Sequence, residues 1–276
     1  MRKLFTFLFV VFFFSAAQQA FGVEWFKDHF IDSLDNSHQF ILNDTIIANF
    51  DEVNETENPK INFYNINTGQ KIGTIEPSDD NFVDLIYHPE DHIGMIVYPG
   101  GKIIAYNLNI FQRMVDYQID GMSFDTTDQI RISGDRKKLY KFNSDNLNIK
   151  VADLDKEEII SNKNINVNPS YLKGSYLTKV GSDIKVVLIH SDKIEHIDPE
   201  TVMSIKIAKV DIWTNEKPRL SPSNERIIYT ENETTVTGVN LDDGSIAYTI
   251  TSNDKIHKFK ETFDGKHLII SGPIHS

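Results

Sequence analysis

From residue 38 onward the chain alternates between short apolar runs, rich in Ile, Val, Phe, Tyr and Thr, and brief clusters of Gly, Pro, Asn and Asp. Runs of that composition predict β-strands, and the clusters between them predict turns. Residues 82–119 resolve into Phe82–His88, Ile93–Tyr98, Lys102–Asn107 and Arg113–Ile119. Residues 213–251 resolve into Trp213–Leu220, Arg226–Thr230, Thr235–Asn240 and Ser245–Thr251. Many runs alternate in polarity while others are apolar on both faces, which suits sheets packed against neighbours on each side.

The runs recur with a fixed period. A polar-apolar-polar triplet ends the third strand of each group: Asn65-Ile66-Asn67, Asn107-Leu108-Asn109, Asp153-Leu154-Asp155, Asp198-Pro199-Glu200 and Asn240-Leu241-Asp242. The steps are about 42, 46, 45 and 42 residues, inside the range of propeller blades. A second turn series lies between the triplets, at Asn43-Asp44, Glu90-Asp91, Gly134-Asp135, Ser182-Asp183, Ser223-Asn224 and Asp264-Gly265. Each unit is therefore expected to hold four strands. The central Leu or Ile of a triplet points into the core, and the flanking Asn or Asp starts the turn, because its side chain bonds nearby backbone. Asn67-Thr68-Gly69-Gln70 and Asp242-Asp243-Gly244-Ser245 place Gly where a hairpin needs positive φ. The triplet carboxylates belong to separate units and are not expected to converge on a metal.

The turns between first and second strands carry a family resemblance. Leu220-Ser221-Pro222-Ser223-Asn224-Glu225-Arg226-Ile227, Phe263-Asp264-Gly265-Lys266-His267-Leu268 and Ile132-Ser133-Gly134-Asp135-Arg136-Lys137-Lys138-Leu139 resemble the Ser-Pro-Asp-Gly-Lys-x-Leu turn of the β-propeller superfamily, in particular WD-repeat-like and YVTN-like propellers. No Trp-Asp closes a third strand and no Gly-His opens a unit. The resemblance implies an all-β fold, a β-propeller of four-stranded antiparallel blades. Five complete blades are expected at about 38–77, 78–120, 121–163, 164–208 and 209–252, with a partial sixth at 253–276. A half-blade leaves an open edge, so the expectation is a truncated or decayed propeller, with ring closure by the N-terminal segment as the alternative. In that segment, 23–37, Trp25, Phe26, Phe30 and Leu34 have helical spacing and predict a short capping helix.

The first residues set the expected compartment. Arg2 and Lys3 precede an apolar run from Leu4 to Phe14, and Ser15-Ala16-Ala17 or Ala20-Phe21-Gly22 would suit a signal peptidase. The run is short for a bilayer core that takes about 20 residues, so residues 1–22 are expected to be a cleaved secretory signal rather than a stable membrane anchor. The product would be exported, periplasmic or extracellular. Cysteine is absent, which excludes disulfides, thiolate metal sites, a cysteine nucleophile and lipoprotein acylation. Losing Arg2 and Lys3 takes the formal net charge from −12 to about −14, which argues against nucleic acid as a partner. Three Asn-x-Thr sequons begin at Asn43, Asn54 and Asn232. Chance supplies about as many in so Asn-rich a chain, so they do not identify the host.

Catalytic signatures are missing: no Gly-x-Ser-x-Gly, no His-Glu-x-x-His, no phosphate loop, no dinucleotide fingerprint. His88 and His92 flank Pro89 and cannot form a helical metal pair; His190 and His196 fall on successive strands. The resemblance implies a binding face where the fourth-to-first and second-to-third strand loops gather. Those loops are acidic, and Asp79, Asp80, Asp125, Asp211 and Asp254 are the candidate binding residues. Carboxylates gathered there would suit Ca²⁺ or a cationic ligand, although no cofactor is required. The expected function is an exported, non-catalytic interaction platform with an unidentified protein partner. The alternative is a metal-dependent hydrolase or lactonase of YVTN-like type.

Overall fold

The computed structural model describes residues 39–41, 45–51, 59–65, 67–78, 81–88, 90–180, 183–212, 214, 217–256, 258–261, 265 and 267–271. The expected leader, the segment 23–37, the sequons at Asn43 and Asn54, and both Asp79 and Asp80 lie outside these residues.

Five four-stranded sheets follow one another, each an antiparallel meander of consecutive strands, the unit of a propeller blade. The first contains β1 Gln39–Ile41, β2 Ile46–Asp51, β3 Lys60–Asn65 and β4 Lys71–Ile75; the second β5 Asp84–His88, β6 Ile93–Val97, β7 Lys102–Asn107 and β8 Gln112–Gln118. The third contains β9 Asp128–Ile132, β10 Lys138–Asn143, β11 Asn148–Asp153 and β12 Glu158–Asn164; the fourth β13 Gly174–Val180, β14 Asp183–Ile189, β15 Lys193–Ile197 and β16 Ser204–Lys209. The fifth contains β17 Arg219–Leu220, β18 Arg226–Asn232, β19 Thr235–Asn240 and β20 Ile246–Thr251, and a two-stranded sheet follows, β21 Lys258–Glu261 and β22 Leu268–Ser271. Among the described residues one 3-10 turn, Pro169–Tyr171, occurs, just before β13. Strand β17 is far shorter than the expected run from Trp213, because Pro218 has no N–H to give a ladder.

The chain divides into two compact units. One takes residues 1–81, 89–94 and 106–114, the other 82–88, 95–105 and 115–276, so the second sheet has residues in each. In the first unit Ile47, Ala48, Ile61 and Phe63 are buried, and the Phe63 and Phe111 rings meet at a centroid distance of 5.4 Å. Tyr106 donates its hydroxyl hydrogen to the Glu76 carbonyl at 3.3 Å.

In the second unit the sheets pack face on face. Val186 and Leu188 of β14 enter a core with Phe142, Ile149 and Val151 of the third sheet. Val187 and Ile189 of the same strand point the other way, into a core with Ile227, Val239 and Leu241 of the fifth. Successive side chains alternate faces, so a strand with cores on both sides must be apolar throughout. The first strands are also tied in series. Gln129 of β9 donates from Nε2 to the Ser175 carbonyl at 3.1 Å and accepts from the Leu177 N–H at 2.8 Å. Tyr176 of β13 donates its hydroxyl hydrogen to the Pro218 carbonyl, and the Arg219 guanidinium of β17 lies 5.1 Å from the Phe259 ring centre.

The two turn series meet at one end of the second, third and fifth sheets. The central residue of a triplet donates its N–H to a carbonyl of the neighbouring first turn: Leu108 to His92, Leu154 to Lys137 and Leu241 to Glu225, each at 2.8 Å. Leu108, Leu154 and Leu241 are buried. Pro199, which has no N–H, replaces this residue in the fourth sheet. The first turns agree in detail. The Ser133 N–H donates to the Lys138 carbonyl as the Ser221 N–H does to the Arg226 carbonyl, each serine Oγ accepts from the same partner's N–H, and Arg136 and Asn224 take left-handed φ of 60° and 61°.

The triplet turns share a further rule. The residue four positions after the first triplet residue is left-handed in all five sheets: Gly69 at φ 69°, Phe111 at 54°, Glu157 at 54°, Val202 at 56° and Gly244 at 75°. The Asn or Asp that starts the turn accepts backbone N–H groups, as Asn65 does from Asn67 and Thr68 and Asp198 does from Glu200 and Thr201.

Candidate functional site

The opposite end of each sheet carries the loops between second and third strands and those from a fourth strand to the next first strand. A repeated backbone bond joins them. Ile119 donates to Gly101 at 3.0 Å, Ile165 to Leu147 at 3.0 Å, Ile212 to Ser191 at 2.8 Å and Ile256 to Glu233 at 2.7 Å. All four donors are buried isoleucines. Their spacing of about 46, 47 and 44 residues matches the turn periods, and this third series is a sequence signal that the turn residues overshadowed. Each buried Ile anchors its loop in the core, which fixes the polar residues beside it.

Asp211 is presented in this way. It precedes Ile212, and Val210 donates to the Asp192 carbonyl at 3.1 Å, so the two loop segments holding Asp192 and Asp211 are paired. Both side chains line a groove of about 660 Å³ with Glu231, Lys173, Ser191 and Thr214. The Glu231 carboxylate is held by the Thr237 hydroxyl at 2.6 Å, and Lys173 donates from Nζ to the Thr214 carbonyl at 3.0 Å. Three carboxylates against one ammonium make the groove anionic, and it falls within the size range of small-ligand sites. Nearby, burial raises the Tyr229 hydroxyl above its ordinary pKa, with Glu231 and Asp211 adding to the shift. Tyr229 is therefore a neutral phenol at physiological pH.

Asp125 and Asp254, the other described candidates, do not line this groove. Asp125 lies in the loop before β9, where its Oδ1 accepts from the Thr127 hydroxyl at 2.5 Å and N–H at 2.8 Å. Those bonds hold its pKa below the ordinary carboxylate value, so its oxygens serve the turn. Asp254 lies exposed in the loop before β21, and its N–H donates to Ser252 Oγ at 3.1 Å. Among the described residues no group of three or more His, Asp or Glu is arranged to hold a metal ion.

Beneath Asp125 the loop is pinned by a buried ion pair. The Asp128 carboxylate, with no exposed side-chain surface, accepts from Lys141 Nζ at 2.6 Å. It also accepts from the Asp125 N–H at 2.9 Å and from Asn143 Nδ2 at 3.2 Å. Lys141 donates additionally to the Ser123 carbonyl at 2.5 Å. This network fixes the loop's path; a charge of either sign left alone there would be costly.

The histidines stay apart from the groove's chemistry. His196 is wholly buried between the fourth and fifth sheets, with Nε2 donating to the Leu241 carbonyl at 2.8 Å and Nδ1 unpaired. Burial depresses its pKa, and Lys185 and Lys206 push it in the same direction. His190 precedes Ser191, and its pKa is likewise lowered, first by burial and then by Lys193. His88 ends β5 and is buried, while His92 occupies a turn at φ 52°.

The loops are less uniformly acidic than the chain's composition implies. Lys173 and Lys217, which composition alone did not single out, stand at the entries to β13 and β17 and line cavities at this end. The two lie 44 residues apart, one repeat, so they take corresponding places before the first strands of successive sheets.

No protein-family model matches the chain, and no curated protein matches it in sequence. Among solved structures, the chain is similar to the Cps50 (Swd1) β-propeller domain of Myceliophteria thermophila, at 10% identity and a TM-score of 0.45 over 87% of this chain and 96% of that one.

Proposed function

We propose that the protein is an exported, non-catalytic binding module whose loop end engages a protein partner, with the Asp211 groove receiving a basic segment. The observation that carries this reading is the groove itself. Three carboxylates, from Asp192, Asp211 and Glu231, line one concave surface, and backbone bonds anchored by Ile212 hold two of them in register. Fixed charges of one sign in a cleft concentrate and orient ligands of the other, and preorganised loops bind at low entropic cost.

The test combines capture with charge reversal. The secreted protein is cross-linked in its own envelope or medium, and partners recovered by the wild type are compared with those of Asp192→Lys/Asp211→Lys. Loss of a specific partner from this variant, with retention by Asp155→Lys at the opposite end, is the expected outcome. Equal recovery by both variants would sink the reading. Calcium-dependent turnover of ester or lactone substrates would replace it with the hydrolase reading. Sequencing the N-terminus of the exported form tests cleavage after residue 22.

A further inference from the structure

A second cavity at the loop end has the opposite charge. It measures about 540 Å³ and lies between the third and fourth sheets. Its wall is made by Ser144 and Asp145 of the β10–β11 hairpin, by the turn Pro169–Tyr171 and the residues entering β13, and by Lys217 before β17. Two lysines, Lys173 and Lys217, face one aspartate, Asp145, so among the described residues the lining carries a single net positive charge on a chain whose formal net charge is −12.

The lysines are positioned rather than loose. Lys173 is tethered by one N–H to the Thr214 carbonyl at 3.0 Å, which leaves its other two ammonium hydrogens for a ligand. The Lys217 ammonium lies 5.8 Å from the centre of the Tyr176 ring, whose hydroxyl is fixed on the Pro218 carbonyl. Ser144 adds a hydroxyl donor, while the Ser170 hydroxyl donates to Asn168 Oδ1 at 2.8 Å and offers the cavity its lone pairs. Tyr171, at 75% exposure, ends the same 3-10 turn, and an exposed tyrosine supplies contact area at low entropic cost. Lys173 also borders the Asp211 groove, so an anionic and a cationic cavity share one wall residue.

We propose that this cavity binds the carboxylate of an acidic peptide segment, through Lys173 and Lys217, as the complement to the basic segment in the Asp211 groove. The proposal rests on the reading of the loop end as the binding face. The net lining charge suits a monoanion. A phosphorylated peptide brings a dianion, and sites for it use arginine forks, whereas among the described residues no arginine lines this cavity. A partner strand with basic and acidic residues in succession would fill both cavities, and like-charge contact would reject the reversed orientation.

The experiment titrates acetyl-tetraglutamate amide into the ¹⁵N-labelled protein, with acetyl-tetraglutamine amide as the neutral twin. Saturable amide shifts clustered at Ser144–Asp145 and 170–175 are expected with the first peptide and none with the second. Lys217→Glu should weaken binding about tenfold or more and Lys217→Gln less, since one of two ammonium contacts is reversed or removed. Lys156→Glu, at the opposite end, should leave binding unchanged. Non-saturating shifts, shifts scattered over all lysines, or equal binding by Lys217→Glu would overturn the proposal. Inorganic phosphate that saturates the same amides at lower concentration than the peptide would overturn the carboxylate assignment. Tetraglutamate titration reads this cavity alone, whereas partner capture by Asp192→Lys/Asp211→Lys reads the Asp211 groove, so the two readings fail separately.

Discussion

One backbone position recurs in every sheet with different side chains, and substitutions there should change stability in opposite directions. The residue four places after each triplet start is left-handed, yet only Gly69 and Gly244 are glycines; Phe111, Glu157 and Val202 are not. Left-handed φ costs a residue with a Cβ about 1–2 kcal/mol. Glu157 is exposed, so its side chain offers little packing in return. Glu157→Gly should recover that cost less about 0.4–1 kcal/mol of extra unfolded-state freedom, a net gain of about 0.5–1 kcal/mol. Gly244→Ala adds the same backbone cost and a clash. Its Cβ would press on the Lys209 carbonyl oxygen and lie 2.8 Å from Val210 Cγ1. The expected loss is about 2–4 kcal/mol. At about 2–4 °C per kcal/mol for a domain of this size, thermal unfolding should show Glu157→Gly shifted up by about 1–4 °C and Gly244→Ala down by about 5–15 °C. Chemical denaturation should give the same signs with an unchanged m-value. A neutral Gly244→Ala, or a Glu157→Gly that loses stability, would refute the shared-turn argument.

Three further outcomes follow from individual contacts. Asp128→Ala strands the Lys141 ammonium in a buried site and should cost about 3–5 kcal/mol in urea unfolding, whereas Asp128→Leu/Lys141→Met should restore most of the loss; equal losses would contradict the pairing. His196 titrates at about 6.5 when unfolded and below that when folded. The unfolded chain therefore binds more protons in that window, so the stability His196 contributes is present above about pH 6.5 and lost as pH falls through the folded pKa. Melting temperatures of the wild type should drop across this window more steeply than those of His196→Gln, with His190 adding a smaller slope of the same sign. Ile212→Ala removes the buried anchor of the Asp211 loop and should cost about 2–5 kcal/mol, with faster amide exchange at the Asp192 and Asp211 loops than at β18; uniform exchange would argue that the loop is held by other contacts.

The repeat was legible because it is local. Asn and Asp at the triplets, Ser and Gly in the first turns, and β-branched runs between them each act within a few residues of chain. The strands at 82–119 accordingly fall within a residue or two of their expected bounds. Strand β17 starts only at Arg219, directly after Pro218, which has no N–H to give a ladder. Left-handed geometry at Gly69 and Gly244 was readable from residue type, while the same geometry at Phe111, Glu157 and Val202 was not. There the hydrogen-bonded turn and the core around it impose a conformation that those residues would not choose.

The candidate site was legible only in part. Asp211 was reachable from the spacing of the loops, and its place beside Asp192 and Glu231 came from the bond at Ile212 that pairs two loops. Asp125, chosen by the same acidity, turned out to spend its carboxylate on Thr127. Lys173 and Lys217, Tyr176 and Pro218, and His196 and Leu241 are each about one repeat apart, which puts the members of a pair on successive sheets, but the repeat does not say which side chains meet. Sequence alone determined the four-strand unit and its period, since turn chemistry and alternation are short-range. Which charges share a cavity was decided only by tertiary structure, because the packing of one sheet on the next sets those distances.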